Sequence, residues 1–189
     1  MEQIRYGRKK NGIIKQLNDK LTAWCDSIDD ETVRKAVKKN TIVTGGSIAS
    51  MLLGEPINDY DVYFRDKATT KLVAEYYVKK YNEEHELGVA EGVQSYTPYV
   101  KEETVQNIKG EDEERVLIYI KSAGVAGDSS QQYDYFEQRE DGAAEEYIES
   151  VIPDETKQTE PFKVVFLSQN AITLSGKMQI VIRFYGEPD

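Results

Sequence analysis

The chain has 189 residues, 39% hydrophobic and 31% charged, which suits a soluble globular protein of one domain, or one domain with an elaboration, and excludes a disordered one. Its net charge of −10 and sequence pI near 4.8 argue against a broad, sequence-independent grip on a nucleic-acid backbone. The single cysteine excludes an internal disulfide or a cysteine-based zinc cluster, no apolar run reaches membrane-span length, and residues 1–10 lack an apolar signal core, so a cytoplasmic location is the default.

Residues 11–26 have helical periodicity through Ile13, Ile14, Leu17, Leu21 and Trp24, with Cys25 read as a buried structural thiol. A second helix over 30–39 is entered from Asp29 or Asp30. Arg5, Arg8, Lys9, Lys10 and Lys15, and likewise Arg34, Lys35, Lys38 and Lys39, could meet a polynucleotide acceptor or form the solvated side of a helix, and the solvated face is the favoured reading. Ile42 and Val43 then form a short β-branched run that suits a buried strand. Gly45, Gly46 and Ser47 open a helix whose apolar face is Ala49, Met51, Leu52 and Leu53, with Ser47 placed as its cap. Gly54 and Pro56 stop it, and Asp59 to Phe64 extends as a strand.

Residues 67–85 read as a helix with Leu72, Val73, Tyr76, Tyr77 and Tyr81 inward and His85 at its solvated end. From 88 to 114 the pattern breaks into short extended pieces ending in an acidic loop at Glu111 to Glu114. Arg115 to Lys121 is apolar enough for a central strand, 124–132 is a small-residue loop, 143–150 looks helical, and 153–161 is a polar connector. Two or three strands finish the chain. This order predicts an α+β domain over 1–189 with a mixed β-sheet and helices packed mainly on one side, and 86–161 as an insertion or elaboration.

Chemistry concentrates between residues 41 and 64. Paired glycines let an anion approach the backbone, and a helix N-terminus offers unpaired N–H groups to phosphates. Asp59 and Asp61, two apart on a strand, project to one face, where oxygen ligands suit Mg2+ (or Mn2+) held jointly with substrate phosphates.

Gly45-Gly46-Ser47, eleven residues, then Asp59-Tyr60-Asp61 is similar to the signature of the DNA polymerase β-like nucleotidyltransferase superfamily. Leu52-Leu53-Gly54-Glu55-Pro56 ahead of the acids resembles the head domain of CCA-adding tRNA nucleotidyltransferases. The stretch from Phe166 to Gly186 resembles small nucleotidyltransferase-like proteins predicted from tailed bacteriophage genomes. The resemblance implies a nucleotidyltransferase-like fold and transfer of a nucleoside monophosphate from a nucleoside triphosphate to an acceptor hydroxyl, an RNA (tRNA-like) end being favoured, in a host bacterial cytoplasm. Gly45, Gly46 and Ser47 would hold the phosphates, and Asp59 and Asp61 the metals as catalytic carboxylates. The family's third carboxylate has no clear counterpart. Neither 115–121 nor 178–184 contains an acid, and Gln179 lies near where one is sought. The acid is then expected on a further strand past Asp189, or at an unexpected position such as Asp134. The arginine motifs by which CCA-adding enzymes select bases are not recognisable, and the alternative reading is a catalytically impaired nucleotide- or partner-binding module.

Overall fold

The computed structural model describes residues 7–85, 98–107, 109–119 and 162–188. Within them the chain runs α1 (Lys10–Ser27), α2 (Glu31–Asn40), β1 (Thr41–Thr44), α3 (Gly46–Leu53), β2 (Tyr60–Phe64) and α4 (Lys67–Glu84). It continues with β3 (Tyr99–Gln106), β4 (Asp112–Tyr119), β5 (Val164–Leu167), β6 (Ala171–Leu174) and β7 (Met178–Tyr185).

Local chemistry explains where the helices begin and end. The Asp30 carboxylate accepts hydrogen bonds from the N–H groups of Thr32 (2.8 Å) and Val33 (3.1 Å), starting α2. Asp66 starts α4 in the same way, accepting from the Thr69 N–H at 2.7 Å. Helix α3 ends at Gly54, whose φ of 73° is the left-handed conformation glycine adopts without strain.

The fold is α+β. A five-stranded mixed sheet has the order β1-β2-β7-β6-β5, with β2 and β7 parallel and the other neighbours antiparallel. One row across it, Val43, Val62, Ile180, Ile172 and Leu167, faces the core, and the last four are at most 4% exposed. Helices α1, α2 and α4 cover this side with Trp24, Ile28, Val33, Val37, Val73, Ala74 and Tyr77. Trp24 is fully buried and its indole N–H donates to the Tyr77 hydroxyl at 2.7 Å, so the largest core side chain also has its polar atom satisfied. Helix α3 contributes no residue to this cluster and stands at the end of β1.

Four sequence expectations are corrected. Among the described residues, β4 ladders with β3 in a two-stranded ribbon, which the Ile118 N–H ties to the Gln169 carbonyl at 3.0 Å, and is not central in the five-stranded sheet. Its apolar residues Val116 and Ile118 are buried because the ribbon packs on α4 and β7, which makes this part of the 86–161 region integral to the core. The acidic loop is shorter than expected, since β4 begins at Asp112 and takes in Glu113 and Glu114. Strand β1 is half-buried throughout, because among the described residues it has a strand neighbour on one side alone. Ile14 is 45% exposed, turned away from the face that buries Ile13. The expected loop at 124–132, the helix at 143–150, the connector at 153–161 and Asp134 lie outside the described residues. Among the described residues, no helix is long and apolar enough to cross a membrane.

Candidate functional site

One residue step from the core row runs a second row in perfect register, Thr44, Asp61, Gln179, Thr173 and Phe166. Because side chains alternate along a strand, this row points away from the helical core. Thr44 is the last residue of β1, so its pairing with Asp61 carries the following glycine turn straight onto the β2 carboxylate. At Gly45, φ is 79°, and a Cβ built there would lie 3.0 Å from the Asp61 Cγ and 3.2 Å from its Cβ. Only glycine fits, for two independent reasons: backbone conformation and the carboxylate itself. The glycine turn and the Asp61 side chain therefore meet at one place.

Gly45, not Ser47, is the N-cap residue of α3, and no side chain caps this helix end. This corrects the capping role expected of Ser47. Ser47 lies inside the first turn, is only 2% exposed, and its Oγ has no hydrogen-bond partner among the described residues. A buried hydroxyl left unpaired beside uncapped helical amides costs free energy until an acceptor arrives. An anion at this helix end would supply that acceptor.

Asp59 directly precedes β2 and is exposed, while Asp61 is half-buried. Burial pushes the Asp61 carboxyl above the ordinary carboxylate range, and the Asp59 charge adds to the rise. Although its side chain reaches solvent, the protein packed around Asp59 removes part of its hydration and raises its carboxyl too, against the field of Lys177. Neither acid makes an ion pair among the described residues. Two neighbouring carboxylates with unmet charge form a donor set that fits a hard divalent cation, which uses one or two protein carboxylates and takes its remaining ligands from water and phosphate. Gln179 stands beside Asp61 on the parallel strand β7 and adds a neutral amide. Among the described residues no group of three His, Cys, Asp or Glu side chains could hold a metal, so no third acid joins the pair.

Sequence reading missed the cationic side of the site. The Tyr60 N–H donates to the Lys177 carbonyl at 2.9 Å, which fixes the β6–β7 turn beside Asp59. Lys20, on α1, donates its ammonium to the Gly176 carbonyl and lies 5.1 Å from the centres of both the Tyr60 and Phe162 rings. The only local signal was a Gly-Lys turn before an apolar strand, and nothing in it announces proximity to Asp59. The other singled-out residues are structural. Cys25 is buried, burial raising its thiol, and His85 is an exposed cap residue at the end of α4. Lys35 and Lys38 pair with Glu31 and Asp26 on solvated helix faces.

Searches among curated proteins and solved structures find no match. A family model described as Gabija anti-defense 2 family protein matches residues 15–189, taking in every element from β1 to β7 and both acids, and the chain belongs to that family.

Proposed function

We propose that this protein is a metal-dependent nucleotidyltransferase that moves a nucleoside monophosphate from a nucleoside triphosphate to an acceptor hydroxyl and releases pyrophosphate. The observation that carries this reading is the Asp61 carboxylate lying against Gly45 at the uncapped start of α3. Gly45, Gly46 and the Ser47 hydroxyl would receive phosphate oxygens, and Asp59 and Asp61 would hold Mg2+ or Mn2+. The bound cation would neutralise charge on the transferring phosphoryl group. The acceptor oxygen bonds to the α-phosphorus, the bond to the bridging oxygen breaks, pyrophosphate departs with that electron pair, and the hydroxyl proton passes to water. An RNA end is the favoured acceptor. The family description supports a role against a defence system named Gabija, which fits a bacteriophage-borne protein acting in the host cytoplasm.

A second reading is favoured by one observation: the β7 residue in register with Asp61 is the amide Gln179, which cannot accept a proton as a carboxylate does. On that reading the site binds nucleotide and turns it over little. Incubation with Mg2+ or Mn2+ and each labelled nucleoside triphosphate, with and without total tRNA, separates the two. Label transfer that disappears in Asp61→Ala supports the enzyme; saturable nucleotide binding without transfer supports the module; absence of both removes the nucleotide reading.

A further inference from the structure

Among the described residues, Leu52 and Leu53 are the most exposed large apolar side chains, at 57% and 61%. They close α3 at the end far from Gly45, roughly 12 Å away at the usual rise per residue. Met51 beside them turns inward and is buried; the two leucines face out. Cations gather around this end. The Arg8 N–H donates to the Met51 carbonyl at 2.9 Å, and Gly7 comes so close to the Leu52 carbonyl that a side chain there has no room, so the entry to α1 lies against the end of α3. Arg8, Lys9, Lys10 and Lys15 are all exposed, and among the described residues none has a carboxylate within ion-pair reach. Ile14, 45% exposed, lies one turn beyond Lys10 on the same face of α1. Glu55, exposed just past Leu53, offsets only one of these charges.

Helix stability does not account for this charge. Lys9 is the N-cap residue of α1, no side chain caps the helix there, and its first turn holds no acid. A helix N-terminus is its positive end, so Lys9 and Lys10 are disfavoured in that place until an anion arrives. The patch thus combines unmet positive charge, uncapped helical amides and projecting leucines. An anionic bilayer meets all three, its headgroup phosphates facing the ammoniums and amides and its acyl boundary receiving the leucines. An acidic protein face fits less well: interface cores are depleted of lysine and enriched in Tyr, Trp and Arg, whereas leucine set among lysines is the make-up of peripheral membrane segments.

We propose that the start of α1 and the end of α3 form a docking patch for an anionic lipid surface, with Leu52 and Leu53 inserted below the headgroups and Arg8, Lys9, Lys10 and Lys15 against their phosphates. The net charge of −10 opposes approach by any other face, so the patch sets one orientation and binding is reversible and salt-sensitive. Docking uses the opposite end of α3 from the glycine turn and does not depend on nucleotide chemistry there.

Co-sedimentation of the full chain with phosphatidylcholine vesicles containing about 30% phosphatidylglycerol, against phosphatidylcholine alone, provides the test. Wild-type protein should bind the anionic vesicles at least about tenfold more tightly and be released as salt rises to about 0.5 M. Lys9→Gln combined with Lys10→Gln should weaken binding about twentyfold, from about fivefold for each cation. Lys35→Gln combined with Lys38→Gln makes the same change in net charge on α2 and should leave affinity within about twofold. Leu52→Ser combined with Leu53→Ser should weaken binding about tenfold or more, while melting near wild type because both side chains are exposed. Wild-type protein that binds neither vesicle overturns the proposal, as does equal affinity in wild type and the Lys9 and Lys10 variant. A loss in the α2 variant as large as that in the α1 variant overturns it by reducing binding to net charge. Undiminished binding in the leucine variant overturns the insertion. Wild-type protein that ignores vesicles yet binds polyglutamate through Lys9 and Lys10 assigns the patch to an acidic protein, and the lipid assignment falls.

Discussion

Two rows of one sheet, a single residue apart, have opposite lives in this protein. Val62, Ile180 and Ile172 are fully buried in the core cluster that the helices complete. Their immediate chain neighbours Asp61, Gln179 and Thr173 form the polar row of the site. The period of two in a β-strand lets the same short segments build the core on one side and present polar side chains on the other. It also couples them, because a one-residue slip of β7 against β2 would remove Gln179 from Asp61 and bury it.

Variants on each row should therefore separate function from stability. Asp61→Ala should lower nucleotidyl transfer by at least about a thousandfold, a barrier increase of roughly 4 kcal/mol, while melting close to wild type. Transfer that survives at more than a tenth of the wild-type rate would break the assignment of the polar row. On the core row, Ile180→Ala should cost about 3 kcal/mol in chemical denaturation, because it leaves a cavity in a site with no solvent exposure. Nucleotide affinity measured well below its melting temperature should stay near wild type.

Gly45→Ala lies where the two rows meet the turn. It should destabilise by about 1–3 kcal/mol, from the positive φ, and also lose nucleotide binding, because the new methyl group displaces the Asp61 carboxylate. Loss of stability with binding intact would show that the glycine serves only the backbone.

The smallest effects concern pH, and two acids should respond in opposite directions. Asp29 accepts hydrogen bonds from Lys80 and, at 2.8 Å, from the Tyr76 hydroxyl, and these hold its carboxyl below the ordinary range. Its stabilisation is present above the unfolded-state value and fades as pH falls through the lower folded value. Asp29→Asn should thus lose a little stability near neutral pH and flatten the acid limb of a melting profile. Asp61 is raised instead, so its charged form weakens the metal-free fold as pH climbs through the raised value. In EDTA, Asp61→Asn should melt slightly higher than wild type at neutral pH. A lower melting point would mean that the carboxylate is satisfied in the free protein.

Much of this was legible because it depends on local chemistry. The helices around Trp24 and Tyr77, the strand carrying Asp61 and the glycine turn all have signals within a few residues: apolar periodicity, capping acids and positive φ. Ser47 misled because capping residues look alike in sequence. Gly45, with its permissive backbone, took the cap position and drew Ser47 into the first turn, where its hydroxyl is buried. Arg115 to Lys121 misled for a different reason. A continuous apolar run shows that a strand is covered, not which strand lies beside it, and here α4 and β7 cover a separate ribbon.

By itself the sequence determined the α+β class, the buried thiol, the solvated lysine faces and the two acids near a glycine turn, since each follows from composition or from spacing along the chain. Only the tertiary structure decided that Asp61 rests against Gly45, that Gln179 is its neighbour, and that Lys177 stands on the far side. Those three facts depend on β1 and β7 flanking β2, and strand pairing between distant segments is set by the burial of the whole core row, which no local pattern encodes.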